Sequence, residues 1–304
     1  MLKSKNQIIK TGERFRDNKE LPNDWEVISD FKKFRSSTMK KELKKISKIL
    51  APYPHVLGCR LKRVDTIIRK LQKKENHKMN LVRMDDIIAY RIITDSIDNQ
   101  IIIKDALKSK MENIRTRNYI ESPKNTGYRA IHLTYKEKLK LPEGENLSMY
   151  PTEIQLRTYY QHLWSTMSES FGEQSKDNNA TPAQREYLLA LSDTISNFER
   201  KNKDSQIRFP SYSSDYSFFI IHYDKYRNEL VSKYEYGNDI NGTIEHLSYI
   251  ESKNKANMNF ETVLVGLPGN SNHLEVTHLR YFTALKGQPL IPEKIKPSIK
   301  VPQL

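Results

Sequence analysis

Tyr150-Pro-Thr-Glu-Ile-Gln-Leu-Arg-Thr158 alternates polar and apolar residues with the period of a strand, which sends Glu153, Gln155 and Arg157 to one face and Ile154 and Leu156 to the other. One strand thus presents an acid, an amide and a guanidinium side by side, a pattern that a solvated strand would also carry. Two upstream segments give it company. Asp85-Asp86-Ile-Ile-Ala-Tyr-Arg-Ile-Ile93 is an apolar, strand-like run opened by carboxylates and carrying Arg91. Tyr119-Ile-Glu-Ser-Pro-Lys-Asn-Thr-Gly-Tyr-Arg-Ala-Ile-His132 is a Pro/Gly loop entering a strand, with Tyr128, Ala130 and His132 on one face and Arg129, Ile131 and Leu133 on the other. Asp86 and Glu153, at the ends of two different strands, suit a shared divalent ion of the hard, oxygen-binding kind, such as magnesium with bound phosphates.

A fourth piece precedes these. Leu57, Leu61, Val64, Ile68 and Leu71 repeat at helical spacing and predict a helix over about 60–74, on which Lys62, Thr66 and Lys70 fall in line at i, i+4 and i+8. Two ammonium groups and a hydroxyl in a row suit a polyphosphate; an ordinary basic solvent face is the alternative. No G-x-x-x-x-G-K-[ST] loop occurs, so a nucleotide would need a phosphate site of this other kind.

Together these four ordered motifs, over about residues 45–175, resemble the synthetase domain of the RelA/SpoT family, whose members move pyrophosphate from ATP to a ribose 3′-hydroxyl. The family pattern R-x-K-x-x-x-S-I-x-x-K appears as Arg60, Lys62, Thr66, Ile67 and Lys70, with Thr in place of Ser. The resemblance implies that Arg60 and Arg91 sandwich the adenine of ATP, planar guanidinium groups being suited to stacking. It implies that Lys62 and Lys70, with Thr66 between them, serve the phosphates and that Asp86 ligates magnesium. Glu153 resembles the second acid, held to ligate metal or to activate the acceptor hydroxyl. Tyr128 resembles the aromatic that stacks on the acceptor base, within an acceptor side comprising Lys124, Tyr128, Arg129, His132, Gln155 and Arg157, where His132 has a supporting role.

Departures from the family pattern are Ala89 for Gly, Tyr90 for an aliphatic residue and Asn118 for a frequent Asp. Gln161, His162, Trp164, Thr166 and Glu169 fit the Q-H-x-W-x-T-x-x-E version found in longer members. No His-Asp dipeptide occurs, and the family's alarmone-hydrolase domain depends on one. The implied fold is α/β (α+β), a nucleotidyltransferase-like mixed sheet flanked by helices. The acceptor has two implied forms: the 3′ end of tRNA, as in toxic small alarmone synthetases, or GDP/GTP, yielding (p)ppGpp. Some toxic members carry a fused regulatory domain that an antitoxin or phage protein addresses. A rival reading is an inactive RNA-binding module with the same basic surface, against which the intact Asp86 and Glu153 argue.

The chain of 304 residues is 37% hydrophobic, enough for a substantial core and two domains. A lone cysteine, Cys59, excludes an internal disulfide and a Cys-based zinc site, and fits a reducing, cytoplasmic setting. No apolar run is long enough to span a bilayer, so no membrane partner is expected. Charge is unevenly shared: residues 205–304 carry eleven Lys/Arg against ten Asp/Glu, leaving +13 of the chain's +14 to residues 1–204. A field of that sign attracts ATP and longer polyanions such as RNA.

Residues 1–50 read as helical, with Trp25, Ile28, Phe31 and Phe34 apolar and the Lys40–Lys48 stretch solvated. Strands are expected near 87–94, 128–137 and 151–158, and helices near 159–172 and 182–202, with Tyr160, Leu163, Trp164, Met167 and Phe171 as core. A boundary is expected in Asp204–Ser214, dividing a synthetase domain (1–204) from a small C-terminal α+β module (205–304) of regulatory or antitoxin-like character. That module is expected to have strands at 217–222 and 262–267, a helical stretch over 225–250, eight tyrosines and a Pro-rich tail from Gly287.

Overall fold

In the computed structural model the residues described are 3–73, 78–140, 147–174, 180–202, 209, 215–227, 229–254, 259–268, 272–282, 291–300 and 302. The chain opens with three helices, α1 (Lys5–Arg16), α2 (Asp24–Ser36) and α3 (Met39–Leu50). Ser4 and Gln7 close a capping box that starts α1. In α3, Leu43, Ile46 and Leu50 are buried while Lys41, Lys44, Lys45 and Lys48 are exposed, so the helix turns one stripe inward and its lysines to solvent.

Eight strands follow: β1 (His55–Leu61), β2 (Ile88–Thr94), β3 (Arg115–Asn118), β4 (Ile131–Leu139), β5 (Ser148–Thr158), β6 (Tyr216–Asp224), β7 (Glu229–Glu235) and β8 (Phe260–Pro268). They form one mixed sheet in the order β3-β4-β5-β2-β1-β8-β6-β7. The β2/β5 pair is parallel and sets Ala89 against Glu153 and Arg91 against Gln155; the other pairs are antiparallel. On one face, Tyr90, Ile92, Ile154, Leu156, Phe218 and Ile220 join the core made with α1–α3, α4 (Val64–Gln72), α5 (Ile97–Lys110) and α8 (Ile240–Lys253). On the other, α6 (Tyr159–Gln174) and α7 (Pro182–Lys201) pack on each other through Tyr160, Leu163, Trp164, Met167 and Phe171, all buried. Alongside them α9 (Asn272–Thr277) covers β8 and β1.

Four expectations are corrected. The helix predicted over 60–74 begins only at Val64, and Leu57 and Leu61 belong to β1. β1 is central and covered on both faces, so its residues from Val56 to Cys59 show no polar alternation, and its 57/61 spacing imitates a helical stripe. Lys62 therefore precedes α4 and does not share a helix with Thr66 and Lys70. The helical stretch over 225–250 is instead a hairpin strand, β7, followed by α8, which starts at Ile240 with Asp239 as its cap. The strand expected from residue 128 starts at Ile131. Within the Pro-rich tail, Ile295 is fully buried against the α6/α7 cluster.

The strands beyond residue 205 extend the one sheet through β8, which pairs Cys59 with Gly266 and Leu61 with Leu264. The expected boundary at 204–214 lies outside the described residues except for Phe209. No helix among the described residues is long and apolar enough to cross a membrane.

Candidate active site

Asp86 stands just before β2, between two ammonium groups. Lys62 Nζ donates to its Oδ2 at 2.7 Å and Lys70 Nζ to its Oδ1 at 2.8 Å. Lys62 arrives from the end of β1 and Lys70 from α4, so strand and helix converge on one carboxylate. Burial would raise the Asp86 pKa, but Lys62 and then Lys70 overcome it and hold the carboxyl well below its usual range. Asp85 adds a second carboxylate, 3.7 Å from Lys70 and 4.0 Å from Arg115.

Glu153, on β5, heads a hydrogen-bonded chain that the strand period builds. Its Oε1 lies 2.8 Å from His132 Nδ1, and Gln155 Nε2 donates to its Oε2 at 2.7 Å. Arg157 donates to Gln155 Oε1 at 3.0 Å and to the Tyr128 hydroxyl at 3.1 Å, and that hydroxyl lies 2.6 Å from His132 Nε2. With Arg157 supplying a donor to Tyr128, the hydroxyl proton points to His132 Nε2 and the Nδ1 proton to Glu153. Burial pushes Glu153 up, yet the hydrogen bonds from His132 and then Gln155 bring it down to about 2, so it is ionised. Asp86 raises the Glu153 pKa by repulsion, which sets both acids in one field.

Tyr128 has edge contacts with Tyr119 and Trp164, at 5.7 and 5.9 Å between centroids. The exposed Lys124 ammonium lies over both tyrosine rings, at 4.9 Å from Tyr119 and 5.1 Å from Tyr128. The loop before β4 depends on Gly127, whose φ of +88° few side chains tolerate and whose carbonyl accepts from Ser192 of α7 at 2.6 Å.

Arg60 and Arg91, from β1 and β2, stand on the same face. Arg91 is buried and donates to the Thr277 carbonyl at 2.6 Å; burial, then Arg157 and Arg60, lower it to about 9. Thr277 ends α9 and packs against Gly58, where a Cβ would come within 3.1 Å of the Thr277 Cγ2 and Leu267 Cδ2, so the glycine eases the close approach of α9 to β1. Beside it, burial and then Arg91 and Arg60 push His278 well below the ordinary histidine range, and burial, Arg91 and Arg157 do the same to His162.

The structure therefore brings Asp86, Lys62 and Lys70 together, and Glu153, His132, Gln155, Arg157 and Tyr128 together. Two expected residues stand apart. The Thr66 hydroxyl is engaged by Arg63 and Arg69 instead of joining the lysines. Arg129 points to α7, to Ser192 at 3.1 Å and Asp193 at 3.5 Å; it precedes β4, so the strand alternation expected from residue 128 does not set its direction. Sequence reasoning missed Thr277 and His278, whose only signal is their contact across the finished sheet, and Tyr119, which stood within a quoted motif.

The mixed sheet, with Asp86 just before β2 and Glu153 on the neighbouring β5, shares its fold with solved small alarmone synthetases. The solved small alarmone synthetase 1 from Bacillus subtilis bound to its product pppGpp superposes with a TM-score of 0.50 at 24% identity, covering 59% of this chain and 94% of that one. Residues 59–175 match the family described as the region found in RelA / SpoT proteins. Two curated Bacillus subtilis (strain 168) relatives match. The GTP pyrophosphokinase YjbM is 31% identical over 122 residues, 40% of this chain and 56% of that protein. The GTP pyrophosphokinase YwaC is 28% identical over 130 residues, 41% and 60% respectively. The chain thus spans under two thirds of the length of either curated relative.

Proposed function

We propose that this protein is an ATP-dependent pyrophosphokinase that transfers the β,γ-diphosphate of ATP to a ribose 3′-hydroxyl and releases AMP. The observation that carries this reading is the pair of ionised carboxylates, Asp86 held by two lysines and Glu153 headed by a His132–Tyr128 chain. The donor's β- and γ-phosphates would draw Lys62 and Lys70 from Asp86, since both lysines already reach one anionic position. Asp86 and Glu153 would then hold magnesium together with those phosphates, and they fit it: both are ionised, and that ion takes one or two carboxylates plus substrate oxygens. When bound, the ion supplies neutralisation of charge on the transferring group.

The acceptor oxygen forms its bond to the β phosphorus as the bond to the α,β-bridging oxygen breaks, and AMP departs with that oxygen. Glu153 orients the hydroxyl and takes its proton, with His132 and Tyr128 fixing the carboxylate. Arg60 and Arg91 offer planar cations to the adenine. Most of the acceleration comes from positioning and charge stabilisation.

For the acceptor, the concentration of +13 in residues 1–204 favours the 3′ end of tRNA, a reaction that would halt translation and make the protein a toxin suited to phage defence. Guanine nucleotides are the second reading, favoured by the names of the two curated relatives. Incubation with γ-labelled ATP and either GTP, GDP or deacylated tRNA decides: label on tRNA supports the first, label on the guanine nucleotide the second, and label on neither removes the enzymatic reading.

The segment from α9 to Tyr281 is proposed as an autoinhibitory cover. Thr277 occupies Arg91, and His278 lies beside both arginines offered to adenine. Glu261 anchors the cover through Arg280 at 3.2 Å and the Tyr281 hydroxyl at 2.6 Å. A protein partner, an antitoxin or a phage protein, would act by shifting this cover between closed and open states.

A further inference from the structure

We propose that a lysine-rimmed cavity at the open edge of β4 is a cradle for RNA phosphates, leading the chain's 3′ end to Glu153; the acceptor role of that end rests on the tRNA reading above. The cavity, of about 400 Å³, is lined by Lys41 and Lys45, Lys110, and Lys136 and Lys138. They come from α3, the last residue of α5 and β4, so three separate elements converge where a single solvated helix face would involve one. All five are exposed, and among the described residues none has an acidic partner within ion-pair range. β4 borders β3 only from Ile131 to Thr134, which leaves the outer edge of residues 135–139 open here.

The acids in the lining do not cancel this charge. Glu137 is buried and already accepts from Thr38, Tyr135 and Thr152, with Arg35 3.9 Å away. Glu42 is buried, and burial and then Glu137 push its carboxyl toward the neutral form. Glu112 alone is exposed among the three.

A free phosphate would need the cavity only; the cations, however, continue toward the site. Register sets Arg115 opposite Thr134 and Arg117 opposite His132, and residues opposed across an antiparallel pair share a face. Both arginines are exposed. From Lys138 to His132 the strand rises roughly 20 Å. That path exceeds a mononucleotide and suits a polynucleotide strand contacted through its backbone.

The test uses the full chain and deacylated tRNA. In the combined variant Lys41→Gln, Lys45→Gln, Lys136→Gln, Lys138→Gln, the slope of log affinity against log salt should fall by about 3, with binding at least roughly tenfold weaker near 0.1 M salt. Transfer to tRNA should fall with it, while transfer to a free guanine nucleotide, where it occurs, stays unchanged. The matching quadruple Arg variant should retain both affinity and slope, which separates charge from fold. Unchanged tRNA affinity and slope in the Gln variant overturn the cradle, and so does tRNA labelling indifferent to the four lysines, although the acceptor reading then survives. Lysine-dependent tRNA binding with no label on tRNA sustains the cradle and removes the acceptor reading instead.

Discussion

Asp86 and Glu153 are the residues on which the chemistry turns, and their partners determine how each should fail. Asp86→Asn leaves Lys62 and Lys70 facing each other without their shared anion, and Glu153→Gln removes the charge and sets an amide NH2 against one of the two groups that donate to this carboxylate, His132 or Gln155. Each is expected to lower transfer by about 10²–10⁴-fold with the fold retained by circular dichroism. Near-normal turnover by either purified variant would sink the site. Tyr128→Ala should weaken acceptor binding by about 1–3 kcal/mol and ATP binding far less, because a base can stack on this ring in place of the exposed Lys124 ammonium. Titration of both ligands checks this, and equal losses would mark the tyrosine as structural. These residues were legible because strand period and short loops set them, and a local pattern is written locally. Thr66 shares the helix face of Lys70, but its short side chain stays with Arg63 and Arg69 while the longer lysine reaches Asp86, a difference of reach that spacing does not encode.

At the scale of elements, long amphipathic helices such as α7 were plain, whereas β1 was not, since a strand buried on both faces lacks alternation. β3, four residues all of them polar, gave no strand signal at all. The junction of β5, α6 and α7 carries a measurable property. Glu199 of α7 accepts from Thr158 and Gln161, and burial, against those bonds, lifts its carboxyl to about 7 from 4.5. The unfolded chain therefore sheds this proton first. The group's favourable contribution is complete below pH 4.5 and is lost as pH rises toward 7, by at most ~3 kcal/mol. Denaturant melts at pH 5 and 7.5 should show this loss, and Glu199→Gln should flatten it; an unchanged pH slope in that variant would assign the effect elsewhere.

For the whole molecule, the sheet argues against treating residues 205–304 as a detachable attachment. Cutting the chain near Asp204 would strip β8 from β1 and remove Phe218, Ile220 and Leu264 from the main core. Such a truncation is expected to aggregate, as an exposed strand edge and core favour. A gentler probe of the cover is Arg280→Ala, which loosens one anchor on Glu261 while leaving every strand in place. It should lower KM for ATP and raise transfer severalfold; a stable variant with unchanged KM and rate would mean that the segment does not gate the donor site.

β1 has a further consequence, for the order in which the protein is made. Its strand carries Arg60 and pairs on one side with β2, near in sequence, and on the other with β8, some two hundred residues later. Contacts so remote are slow to close and wait on synthesis. While the ribosome is still extending the chain, β1 is an unfinished border. The strand that completes it leads directly into α9, so the nascent chain gains its finished centre and the helix lying across it at nearly the same moment.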